Sequence, residues 1–125
     1  MQATELARTL FDAFATGDVA AARGVLDESF SGTQNGGPVM NADALLGFAA
    51  AVKARIPDFH YEAIVCSTTA TGFVEEHLVC GTLPDGSKLE LPACVVGDVE
   101  AGRITTLREY VDSAQAVGLL KALGG

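Results

Sequence analysis

The stretch "VEEHLVCG", residues 74–81, sets two adjacent glutamates and a histidine among apolar neighbours that read as a strand. Successive side chains of a strand point to opposite faces. Val74, Glu76, Leu78 and Cys80 therefore share one face, and Phe73, Glu75, His77 and Val79 share the other. Whichever face is buried carries a titratable group, and a buried carboxylate is costly unless it is paired, hydrogen-bonded or protonated. Glu109 is in the same position, alternating with Leu107 and Val111 in "RITTLREYV". Two carboxylates on neighbouring strands of one cavity would raise each other's pKa. A poised carboxylic acid is what proton transfer beside a carbonyl requires.

Glu76, Glu109 and Asp112 are the acid/base candidates. Each has a structural alternative. Glu76 could pair with Arg108 or Lys88, or turn outward at a bulge. Glu109 could pair with Arg103 or Arg108, and Asp112 could cap the closing helix. With Glu76 inward, His77 falls on the outer face beside His60, Glu62 or Glu90, and only the opposite assignment would make it catalytic. Cys66, Cys80 and Cys94 lie in apolar runs without CxxC spacing and read as buried free thiols. No His/Cys spacing indicates a metal site, and no organic cofactor is implied.

Positioning these groups falls to two kinds of element. Leu6, Leu10 and Phe14, with Ala7 and Phe11, make one apolar helical face over residues 4–16. Gly17 ends that helix and Asp18 caps a second one running to Leu26. "GTQNGGP", residues 32–38, is a loop by composition. Asn41 or Asp43 caps a third helix that must end by Pro57. Beyond Pro57 come four strands, "FHYEAIVCST", "VEEHLVCG", "KLELPACVVGDV" and "RITTLREYV", with a hairpin at Asp85-Gly86 and a final helix in "AQAVGLLKAL".

Helices followed by an antiparallel meander predict an α+β fold: a cone-shaped curved sheet wrapped around the N-terminal helices, with an internal pocket. Phe11, Phe14, Phe48, Leu78 and Leu91 are expected to line that pocket and bind substrate, with Leu45 and Ala93 nearby. Phe73, Val79 and Val95 are expected on the outer face, which would then form a homodimer. At 125 residues and 49% apolar content the chain fits one domain, 1–125, with its own core. A net charge of −8 with no Lys/Arg cluster argues against nucleic acid and anionic membranes. No apolar run is long enough to span a bilayer and no secretory signal is read, so a cytoplasmic location is expected.

The segments "LFDAFATGDVAAARGVLDESF", "IPDFHYE", "GTLPDGSKLEL" and "GRITTLREYVD" resemble the SnoaL-like and limonene-epoxide-hydrolase-like branch of the nuclear-transport-factor-two-like superfamily. The resemblance implies the cystatin-like cone and chemistry on a small hydrophobic molecule without a cofactor: isomerisation, cyclisation or hydration. The alternative is a non-catalytic ligand-binding or assembly domain of the same fold. Limonene-type epoxide hydrolases carry an Arg-x-Asp before the hairpin and an Asp on the last strand. A gap-free alignment of the hairpins puts Glu76 at the arginine, Leu78 at the first aspartate and Glu109 at the other. An acid thus stands where the epoxide-polarising arginine belongs. Asp112 matches the acid/base aspartate of SnoaL-like cyclases, and Phe11 and Phe14 stand where ketosteroid isomerases carry a tyrosine.

Overall fold

A computed structural model describes residues 1–124. Helix α1 (Ala3–Thr16) buries Leu6, Ala7, Leu10, Phe11 and Ala13 along one stripe. Its N-terminus is closed by Glu5, which accepts from the Gln2 N–H. Gly17 closes the other end in the left-handed region, φ 77°. Asp18 then caps α2 (Val19–Val25) by accepting from the Ala21 N–H at 3.0 Å. Asn41 does the same for α3 (Ala42–Arg55) through the Ala44 N–H.

The first departure from the sequence reading follows α2. Residues Leu26–Gln34 form a strand, β1, which runs into the segment that reads as a loop at residues 32–38. It pairs in parallel with the last strand, so its partner lies some seventy residues on, beyond any local signal: Gln34 aligns with Glu109. The remaining strands are β2 (His60–Thr68), β3 (Gly72–Thr82), β4 (Lys88–Glu100) and β5 (Arg103–Val111), antiparallel to one another in a sheet of order β1-β5-β4-β3-β2. The last helix, α4 (Val117–Ala122), starts later than expected. Asp112 does not cap it; its carboxylate accepts from the Ala114 N–H in the turn before it.

The fold is α+β, a curved sheet with the helices on its concave side. Phe73, Val95, Ile104 and Leu107 of the sheet pack against Leu6, Leu10 and Phe11 of α1. A second cluster joins Val52 and Ile56 at the end of α3 to Val79, Leu89, Leu91 and Leu119. Strand parity is the second departure. Phe73, Val79 and Val95 face the helices and are buried, not on the outer face. Phe73 is opposite Gly97 and Val79 is opposite Leu91. A Cβ at Gly97 would overlap the Phe73 ring, so the glycine makes room for it. Both faces of β3 are apolar in sequence, so alternation alone could not choose between them. The bulky ring opposite a glycine decides it.

Candidate active site

With that parity, Glu75 and His77 point inward and Glu76 points out. Glu76 is exposed on the convex face, and Leu78 is half-buried there opposite Pro92. The inward pair on this strand is thus Glu75-x-His77, one residue off the gap-free alignment. Strand β4 separates β3 from β5, so Glu76 and Glu109 share neither a cavity nor a strand boundary. Asp112 is exposed beyond the end of β5.

Between the sheet and the helices lies a cavity of about 170 Å³. Phe11, Phe14, Phe48 and Leu91 line it, joined by Phe30, Phe59 and Tyr61. Among the described residues, Glu109 is the one carboxylate in that wall. It is brought there by its alternation with Leu107 and Val111, which also line the cavity. Gln34 of β1 donates from Nε2 to Glu109 Oε1 at 2.7 Å. No arginine ties Glu109 up: Arg108 pairs with Asp98 at 2.7 Å, and Arg103 donates to the Leu26 carbonyl.

Behind the wall sits a buried acid–imidazole pair. Glu75 and His77 are 2% and 4% exposed, and His77 Nδ1 lies 2.6 Å from Glu75 Oε2. With the carboxylate ionised, Nδ1–H is the donor. The other ring nitrogen, Nε2, is buried without a hydrogen-bond partner among the described residues. Buried polar atoms are nearly always satisfied, so this one marks a retained cost. The imidazole lies against Tyr61 and Phe11, with ring centroids 4.5 Å and 4.9 Å away. Tyr61 is held edge-on by Phe11 and Phe59 and forms part of the cavity wall. Burial holds its phenol well above the ordinary tyrosine range, and the charges of Glu109 and Glu75 push the same way. Tyr61 is therefore a neutral O–H donor near neutral pH.

The wall thus combines one carboxylate, one amide, one phenol and otherwise apolar surface. Such a set can move a proton and donate to an oxygen. Comparison with known proteins places it in context: residues 7–107 match the SnoaL-like domain. The chain belongs to the SnoaL-like domain family. Among curated proteins, no match reaches significance. Similar solved structures include a candidate polyketide cyclase from Xanthomonas campestris, 24% identical, with a TM-score of 0.82 over 94% of this chain and 96% of that one. Wild-type IdmH of Streptomyces antibioticus, another candidate polyketide cyclase, is 20% identical with a TM-score of 0.83 over the whole of both chains. An LEH-like epoxide hydrolase of M. tuberculosis is 18% identical, with a TM-score of 0.78 over 98% and 92%. At these identities the likeness is one of fold. Among the described residues, no helix of this SnoaL-like chain is long and apolar enough to cross a membrane.

Tyr61, Gln34 and the Glu75–His77 pair are what the sequence reading missed. The parity of Tyr61 depends on where β2 begins, and β2 carries a register shift between Glu62 and Val65. The pairing of Tyr61 with Val79, an inward residue, is the signal that places it.

Proposed function

We propose that this SnoaL-like chain is a cofactor-independent enzyme that moves a proton on a small hydrophobic carbonyl compound, as an isomerase or cyclase does. The observation carrying this reading is Glu109: a carboxylate in an apolar cavity wall, tied to an amide rather than to an arginine. In that role Glu109 takes the proton from the carbon beside the carbonyl. Tyr61 donates to the oxygen where negative charge develops, the term that usually dominates such catalysis. Gln34 orients the carboxylate. Glu76 and Asp112, both exposed and absent from the cavity wall, have no part in this proposal. The candidate-cyclase descriptions of the similar structures agree with it, and epoxide hydrolysis is disfavoured because no arginine among the described residues lines the cavity.

The test is exchange of α-hydrogens in deuterated water for a panel of small hydrophobic ketones, followed by NMR. Wild type should accelerate exchange for at least one ketone. Glu109→Gln should lower the rate about 10²–10⁴-fold, and Tyr61→Phe should lower kcat more than it raises KM. If ketones bind the cavity but no exchange occurs, the chain is a binding domain and this reading fails.

We also propose a homodimer across the convex face of the sheet. Val65 is 59% and Tyr110 49% exposed there, and Val74, Cys94 and Val96 surround them half-buried.

A further inference from the structure

The convex face, on the other side of the sheet from the cavity, also carries a group of donor atoms. His60 Nε2 lies 2.7 Å from Glu62 Oε2, and these two groups and the Cys80 sulfur all lie within 4.8 Å of one another. Sheet geometry builds the group. His60 and Glu62 are two apart on β2 and share a face, and Cys80 is the cross-strand partner of His60 on β3. Glu90 is the partner of Cys80 on its other side, on β4. His60, Cys80 and Glu90 thus form a row across three strands, with Glu62 one pleat along. The spacing 60, 62, 80 resembles no metal-binding sequence pattern, because pairing rather than sequence brings the residues together.

The imidazole is already oriented from behind. Its Nδ1–H donates to the Asp58 carbonyl at 2.7 Å, which leaves Nε2 facing Glu62. A backbone carbonyl on the far nitrogen is the usual support of a metal-bound histidine. Asp58 is itself fixed, accepting from the Thr82 N–H at 2.8 Å and the Thr82 hydroxyl at 2.7 Å.

We propose that His60, Glu62 and Cys80 bind one zinc ion, with Glu90 or water completing a tetrahedron. An imidazole nitrogen, a carboxylate oxygen and a sulfur suit zinc, whereas magnesium and calcium prefer oxygen alone. Zinc–ligand bonds of about 2.0–2.3 Å separate neighbouring donors by roughly 3–4 Å. The exposed Glu62 side chain can open from its present contact with His60 to reach that spacing. Binding forms Zn–N, Zn–O and Zn–S bonds. The proton held between Nε2 and Glu62 and the thiol proton of Cys80 leave to solvent. None of the three residues lines the cavity, although Tyr61, between His60 and Glu62 on β2, does.

Cobalt(II) titration of the reduced protein tests it, because cobalt replaces zinc and reports a bound thiolate by a charge-transfer absorption. One cobalt per chain should bind with that absorption and be displaced by zinc. Cys80→Ser should abolish the band. His60→Ala and Glu62→Gln, at exposed positions where the fold is safe, should each weaken binding about tenfold or more. Cys94→Ser should leave the band unchanged. No absorption on saturation with cobalt, or a band that survives both Cys80→Ser and His60→Ala, would overturn the proposal. Should Cys80→Ser fail to fold by circular dichroism, the two exposed variants carry the test alone.

Discussion

Glu75 and His77 are an expensive thing for a small domain to keep. Taking both groups out of water costs several kcal/mol each, and one hydrogen bond returns part of that. The unpartnered Nε2 adds to the cost. Removing one partner alone strands the other, so Glu75→Leu and His77→Leu should each destabilise by about 3–5 kcal/mol. The double variant, with both groups replaced by leucine, should lose much less than the sum and could match wild type. Urea unfolding of the four proteins measures this cycle. Additive losses would show that the two side chains do not act as a pair. A restored double variant with reduced α-hydrogen exchange would show that the pair is kept for the cavity next to it, through Tyr61. At this scale the sequence names the right kinds of residue but not their sides. An acid and an imidazole in β3 and an acid in β5 are legible from their apolar neighbours. Which of Glu75 and Glu76 points inward is not, since Val74, Leu78 and Cys80 are as apolar as Phe73 and Val79.

The elements were easier to read where signals are local. Gly17 and Asp18 punctuate α1 and α2 as their chemistry requires, and the Asp85-Gly86 hairpin joins β3 to β4. Strand β1 is hidden because "SGTQ" reads as loop and the strand it pairs with is β5, far along the chain. The Asp98–Arg108 pair, which ties β4 to β5, is not legible in the sequence either, because only the pairing of the two strands brings the residues together. Asp98 accepts from Arg108, from Thr106 and from Thr71 in the β2–β3 turn. The Arg108 guanidinium first, and then the Thr106 hydroxyl, hold its carboxyl down at about 2. A folded-state pKa below the unfolded value of about 3.9 contributes stability above that value, and the contribution is lost as pH falls towards the folded one. Asp98→Asn should therefore cost on the order of 1–2 kcal/mol at pH 7, after allowance for solvent screening. The difference from wild type should shrink between about pH 4 and pH 2, as seen by urea unfolding across that range. A difference that stays constant down to pH 2 would show that packing, not charge, is what the substitution removes.

At the scale of the whole molecule, the correction of strand parity changes the argument for a dimer without removing it. Phe73, Val79 and Val95 belong to the core and cannot form an interface. The convex face still presents Val65 and Tyr110 in the open, with Val74, Cys94 and Val96 between them and Glu76 and Arg108 among them. Apolar side chains clustered in the open like this often mark a contact site. A second copy is the occupant that needs no other partner, since the same face can meet itself about a two-fold axis. Each chain carries a net charge of −8, so two copies repel at long range. Salt screens that repulsion. Light scattering at micromolar concentration should give twice the chain mass, and the dissociation constant should fall as salt rises. Val65→Glu, which sets a charge at the most exposed apolar position of the patch, should yield a folded monomer by adding desolvation and like-charge repulsion at the interface. A wild-type monomer at every protein and salt concentration would rule the interface out. A dimer unaffected by Val65→Glu would place the contact elsewhere on the molecule and leave the convex face without a partner.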